Sequence, residues 1–157
     1  MTPSNDLYAV TKFFEGFSSK PYVDSAGYET VGIGHKILAG ENFSQGITLQ
    51  EAEQLLRDDM GDAVVDVQRL VTVPLTQGQF DCLCDFTYNL GGGKLKESTL
   101  LKRLNAGDYA GVPYELYHVD KDCSQHGWIF AGGKIMAGLV KRRQAEIALW
   151  NDEVPQL

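Results

Sequence analysis

Phe14-Glu15-Gly16, Tyr22-Val23-Asp24 and Thr30-Val31-Gly32-Ile33-Gly34-His35 form the stretch on which the reading of this chain turns. It sets a glutamate, an aspartate after eight intervening residues and a threonine after five more within one short segment. Two carboxylates and a hydroxyl at this spacing converge on one cleft if the chain folds back between them. Acetal hydrolysis needs such a pair: one carboxyl stays protonated to give a proton to the leaving oxygen. The other stays ionised to stabilise positive charge or to activate water. In a chain with 21 acidic residues the pair alone says little, so the surrounding residues carry the argument.

Upstream, residues 4–15 read as a short helix. Ser4, Asn5 or Asp6 caps it, and Leu7, Val10, Phe13 and Phe14 give it an apolar side at helical spacing. Glu15 then falls in the last turn, just before the C-cap candidate Gly16. The helix dipole disfavours an ionised carboxylate at that end, and aromatic neighbours Phe13, Phe14 and Phe17 would add desolvation. Both effects favour the protonated form that a general acid uses. The commoner identity for any single glutamate is a solvated surface residue.

Downstream, Tyr22-Val23-Asp24, Ser25-Ala26-Gly27 and Tyr28-Glu29-Thr30-Val31 read as a β-hairpin with a glycine-containing turn. Gly32-Ile33-Gly34-His35 is expected to continue as a strand edge with close backbone approach. This hairpin turns Asp24 and Thr30 back toward the helix end carrying Glu15. The competing identities are a turn-initiating Asp24 and an ordinary strand Thr30. His35 reads as a structural histidine anchoring the hairpin.

These residues resemble the catalytic region of the phage-type lysozymes, glycoside hydrolase family 24. The family pattern is Glu, eight residues, Asp or Cys, five residues, Thr, then a Gly-Ile/Tyr-Gly-His run. The resemblance extends over nearly the whole chain, through Phe86-Thr87-Tyr88-Asn89-Leu90-Gly91, Ser98-Thr99-Leu100-Leu101 and Gly138-Leu139-Val140-Lys141-Arg142-Arg143. It implies an α+β, mostly α, lysozyme-like fold, with a cleft between a small β-hairpin lobe and a larger helical lobe. Residues 1–157 would be one domain, with the hairpin lobe at about 17–47. The helical lobe would take about 1–16 and 70–157, and a linking helix about 49–70. It implies a muramidase acting on the β-1,4 bond between N-acetylmuramic acid and N-acetylglucosamine. Glu15 would be the proton donor and Asp24 the carboxylate stabilising the oxocarbenium-like transition state, with Thr30 positioning water or Asp24. His35 and Arg142 would be supporting residues, Arg142 through a contact with Glu15. An alternative identity for Arg142 and Arg143 is a solvated basic face. No metal or cofactor is implied.

The rest of the chain is consistent with a soluble globular protein, at 43% hydrophobic and 22% charged residues. No apolar run approaches the ~20 residues of a membrane span, and residues 1–6 lack a secretory signal's basic and apolar regions. The expected partner is peptidoglycan, met by a monomer held in the host bacterial cytoplasm until released to the wall, without membrane insertion. The net charge of −7 argues against nucleic acid as a partner. It also weakens charge-steered attachment to anionic walls, which a basic cluster of Lys134, Lys141, Arg142 and Arg143 would offset. Two other uses of the fold are a wall-binding module with weak turnover and a tail-mounted or secreted antibacterial muramidase.

Further elements follow from caps and periodicity. Thr48-Leu49-Gln50-Glu51 opens a helix of some 20 residues in which Gly61 marks a kink or break. Its Asp58, Asp59 and Asp62 read as a solvated face rather than a metal site. Thr76-Gln77-Gly78-Gln79 opens a second helix that stops near Gly91, and Ser98 a third closed by Gly107. Residues 109–137 look irregular, and a last helix runs from Gly138 to Trp150 with Leu139, Ile147, Leu149 and Trp150 in the core. Three cysteines suit a reducing compartment, and Cys82 and Cys84 point to different sides of their helix. Cys82, Cys84, Cys123 and His126 make only incomplete zinc pairs. Neither Gly91-Gly92-Gly93-Lys94 nor Gly132-Gly133-Lys134 has phosphate-loop spacing, and no Gly-X-Ser-X-Gly elbow is present.

Overall fold

The computed structural model describes residues 1–24, 27–119 and 127–157. Among them, seven helices enclose the core and two small antiparallel sheets lie outside it. Helix α1, Asn5–Glu15, starts where the Ser4 side chain accepts from the backbone N–H groups of Asp6 and Leu7. It ends at Gly16, whose φ of 70° suits a residue without a Cβ. Its buried face is Leu7, Val10 and Thr11. Phe13, expected on that face, is 53% exposed. Thr11 takes the inward place because its hydroxyl has partners there, Leu7 O at 3.0 Å and Asp85 Oδ1 at 2.7 Å.

Strands β1 (Ser18–Val23), β2 (Glu29–Gly32) and β3 (His35–Lys36) form one antiparallel sheet in that order. Tyr22 pairs with Thr30, Val23 with Glu29, and Val31 with His35. The expected hairpin is therefore present, but Gly32-Ile33-Gly34-His35 is not one continuous strand. Gly32 and Gly34 both have positive φ and turn the chain between β2 and β3.

Helix α2, Leu49–Leu70, is 22 residues long and opens with the Thr48–Glu51 capping box. Gly61 does not break it. A Cβ there would meet nothing within 4 Å, and tertiary packing of Ala52, Leu56, Met60, Ala63 and Val67 carries the helix through. At its first turns the helix meets the sheet, and further on it packs against α3.

Helix α3, Gln77–Leu90, is the centre of the helical lobe and opens with the Thr76–Gln79 capping box. Phe80, Cys82, Leu83, Cys84 and Phe86 are buried around it, as are the acidic Asp81 and Asp85. Cys82 and Cys84 are both free and buried, and burial raises both thiols above their ordinary value. Cys123 and His126 lie outside the described residues. Helices α4 (Gly92–Glu97), α5 (Thr99–Asn105, capped by Ser98) and α6 (Gly111–Leu116) follow. A two-stranded hairpin of β4 (Phe130–Ala131) and β5 (Lys134–Ile135) precedes the final helix.

Helix α7, Ala137–Trp150, lies against α3 and α1. Its buried face is Arg142, Arg143, Ala145, Glu146, Leu149 and Trp150, so two arginines and a glutamate take core positions. Leu139 and Ile147 are only half-buried. The solvated-face reading of Arg142 and Arg143 fails, and the basic cluster near the C-terminus shrinks to Lys134 and Lys141. None of the helices is long and apolar enough to cross a membrane among the described residues.

Candidate active site

A cleft of about 830 Å³ lies between the sheet, α2 and the end of α3. Glu15, Asp24, Thr30 and His35 all line it, together with Tyr22, Gly34, Lys36, Asp59, Asp62, Asp66, Tyr88 and Asn89. Four of the five residues singled out in the sequence thus reach one cavity. The fifth, Arg142, reaches Glu15 from the helical side.

Glu15 is fixed by geometry on two sides. Arg142 Nη1 donates to its Oε1 at 2.5 Å across 127 residues of sequence. On the other side the turn between β2 and β3 closes over it: a Cβ on Gly34, at φ 78°, would sit 3.0 Å from Glu15 Oε2. That turn is tied to α3 by the Tyr88 hydroxyl, which donates to Ile33 O at 2.9 Å. Phe13 and Phe17, its aromatic neighbours in sequence, are both about half exposed. Phe14 remains near, with its ring 5.7 Å from the Arg142 guanidinium carbon.

Arg142 is held in turn. Its Nε and Nη2 donate to Asp85 Oδ2 and Oδ1 at 2.9 and 3.0 Å, a bidentate pair in the buried interior. Burial pushes the Asp85 carboxyl up, but the charge and hydrogen bonds of Arg142 outweigh it and hold the group below the ordinary aspartate range. Burial works against the Arg142 cation too, and Asp85, then Glu15, more than compensate it. Beside this pair, Glu146 Oε1 lies 2.9 Å from Arg143 Nη2. Burial raises the Glu146 carboxyl well above the ordinary range, with Arg143 opposing.

Asp24 is anchored at the end of β1. Its Oδ1 accepts from the Tyr28 backbone N–H at 2.8 Å, so the turn-initiating role and a place on the cleft coexist. Thr30 is 2% exposed, and its hydroxyl donates to Tyr28 O at 3.1 Å. The proton is thereby committed, and the oxygen's lone pairs are left to accept. The Tyr22 phenol is pushed up first by burial, then by the negative charges of Glu15 and Asp24, which both act on it.

His35 joins the sheet to α2 and to the loop that follows β3. Nδ1 is 2.9 Å from Asp59 Oδ2 and Nε2 is 3.0 Å from Glu41 Oε2. Asp59 is therefore not part of a merely solvated face; its carboxyl is raised chiefly by burial, with His35 opposing. Burial lowers His35, but the hydrogen bonds to Glu41 and Asp59 outweigh it and the imidazole ends above its ordinary value. A group raised in the folded state contributes stability that is complete below its unfolded value and lost as pH rises through the folded one. His35→Gln is expected to cost about 1.5–3 kcal/mol below pH 6. The gap to wild type should shrink as pH rises above the ordinary imidazole range. Urea melts of both proteins across pH 5–9 check this; a gap that widens with pH overturns the ion-pair account.

Sequence reasoning passed over Asp85, Tyr88, Asn89 and Glu146. A signal for Asp85 was there: Asp81 and Asp85 sit four apart in a helix whose other faces are already apolar, so charged partners had to come from elsewhere. Among the described residues no group of acidic, histidine or cysteine side chains is arranged to hold a metal.

The phage lysozyme family model matches residues 12–146. The endolysin of Bacillus phage B103 is 42% identical over 141 residues, spanning 88% of this chain and 50% of that protein. The endolysin of Acyrthosiphon pisum secondary endosymbiont phage 1 is 38% identical over 141 residues, spanning 88% of this chain and 90% of that one. The chain thus covers about half of the first relative's length and most of the second's. Among solved structures, an endolysin from Escherichia coli O157:H7 phage FAHEc1 matches with TM-score 0.75 and 31% identity. That match covers 100% of this chain and 98% of the other.

Proposed function

This chain belongs to the phage lysozyme family, and from that premise we propose that it is a muramidase. It hydrolyses the β-1,4 bond between N-acetylmuramic acid and N-acetylglucosamine in peptidoglycan, as an endolysin opening the host wall. The observation that carries the reading is the convergence of Glu15, Asp24 and Thr30 on one cleft, with Arg142 on Glu15.

In the proposed reaction Glu15 gives its proton to the bridging O4 as the C1–O4 bond breaks. Asp24 stabilises the positive charge that develops at C1 and ring oxygen and polarises a water that Thr30 helps to hold. The water's hydroxide goes to C1, and its second proton restores the acid–base pair. Arg142 stabilises the carboxylate that Glu15 becomes, and Asp85 keeps Arg142 aimed at it. His35 supports the sheet side of the cleft from beneath.

Residues 1–157 act as one lysozyme-like unit and as a monomer. The net charge of −7 disfavours nucleic acid as a partner. The protein would be held in the host cytoplasm until released to the wall. Mass spectrometry of muropeptides released from purified peptidoglycan tests the reaction. Products ending in reducing N-acetylmuramic acid are expected. An anhydro end, or new peptide ends with intact glycan, overturns it.

A further inference from the structure

Asn89 stands next to last in α3, half-buried, on the cleft. Its Oδ1 accepts from Arg143 Nη2 at 2.7 Å. Arg143 is wholly buried, its guanidinium carbon 5.2 Å from the centre of the Phe86 ring, and Glu146 holds it from the same helix. A guanidinium has five donors and no acceptor. It therefore decides which way the Asn89 amide faces: oxygen toward Arg143, nitrogen away from it. Among the described residues Nδ2 has no hydrogen-bond partner.

The cleft gives that nitrogen a distinct value. Its side chains are mostly acceptors: the carboxylates of Glu15, Asp24, Asp59, Asp62 and Asp66. The Tyr88 and Thr30 protons are already committed to Ile33 O and Tyr28 O. Both His35 nitrogens face carboxylates. Asn89 Nδ2, the Tyr22 phenol, Lys36 and the Thr87 hydroxyl are the side-chain donors that remain, and of these only Asn89 has its donor face set by a buried partner. Sugar hydroxyls serve as donor or acceptor and are matched by the carboxylates. An acetamido carbonyl only accepts, so it must go to a donor.

We propose that Asn89 is a substrate-binding residue whose Nδ2 donates to the acetamido carbonyl of an N-acetylhexosamine in the cleft. Arg143 is the positioning residue that locks the amide in that orientation. The inference rests on the reading of the cleft as a glycan site. It also gives a use to an arginine and a glutamate buried in α7 that the acid–base chemistry does not employ.

The test measures binding, so that it does not depend on turnover. In a Glu15→Gln background, calorimetry compares a tetrasaccharide of alternating N-acetylglucosamine and N-acetylmuramic acid with its de-N-acetylated form. Adding Asn89→Asp keeps the shape and the Arg143 contact but replaces the donor by an acceptor. It is expected to weaken the acetylated glycan about tenfold and leave the de-N-acetylated one no weaker. Asn89→Ala should move the same ratio in the same direction. An unchanged ratio in both variants, or no binding of either glycan by the Glu15→Gln protein, overturns the contact. Products of the wild-type chain on peptidoglycan report separately on the reaction: uncut β-1,4 bonds with the ratio shifted would sink the muramidase reading and leave this contact standing. Arg143→Gln, whose amide offers Asn89 either face, should raise KM about threefold, the loss falling on KM rather than kcat and the rate–pH profile staying in place. A loss confined to kcat removes Arg143 from this role.

Discussion

Glu15→Gln gives a folded protein whose clearing of purified walls falls by ~10²–10⁴-fold, the range that a positioned acid contributes. Glutamine keeps the side chain's size and still offers its Oε1 to Arg142 Nη1, so the α1–α7 contact survives in weaker form. What is lost is the transferable proton. The expected melting temperature lies close to wild type, because Glu15 is at the cleft surface and its neighbour Arg142 keeps Asp85. Turbidity clearing and a thermal melt on the same preparation make the check. A variant that keeps more than about a tenth of the wild-type rate removes Glu15 as the acid.

The second large effect is on Asp85. Asp85→Ala is expected to cost about 3–5 kcal/mol, since it strands a buried guanidinium that has lost its bidentate partner. For a chain of this size that is a fall in Tm of roughly 6–20 °C. Three contacts go at once: both hydrogen bonds from Arg142 and the one from Thr11. Activity should fall as well, because an untethered Arg142 no longer fixes Glu15. Asp85→Asn is milder and reveals the sign of the charge effect. The Asp85 carboxyl is held below its ordinary range by Arg142, so its contribution is complete above that range and is lost as pH falls through the native value. The stability gap between wild type and Asp85→Asn should therefore close as the solution is acidified below about pH 4. Urea melts from pH 7 to pH 2.5 measure it, and a gap independent of pH overturns the ion-pair account.

Those two residues also mark where the sequence was legible and where it was not. The convergence of Glu15, Asp24 and Thr30 on one cleft could be read because they lie close together, flanked by a capped helix and a turn whose chemistry is local. The capping boxes at Thr48 and Thr76 and the cap at Ser98 placed three helix starts correctly for the same reason. Local glycine chemistry was misread once: the two glycines around Ile33 form a turn, and a strand pattern cannot tell an edge from a reversal over four residues. Strands β4 and β5 are two residues each, too short to show alternation. Asp85, Asn89 and Glu146 were missed because their meaning depends on partners 54 and 57 residues away or on a helix face that periodicity assigns to apolar side chains. Arg142 and Arg143 were noticed, but burial, which separates a core ion pair from a solvated face, is a property of the packed molecule.

The hydrogen bond from residue 142 to residue 15 also bears on the order in which the protein is made. Glu15, Asp24 and Thr30, the three residues proposed to act on the bond, leave the ribosome well before Arg142, the arginine that steadies one of them. Closing so long a loop is an entropic cost met only when the final helix docks on the first and third. In the proposed mechanism a nascent chain therefore carries its acid without its clamp, and full competence waits for α7 to emerge and dock.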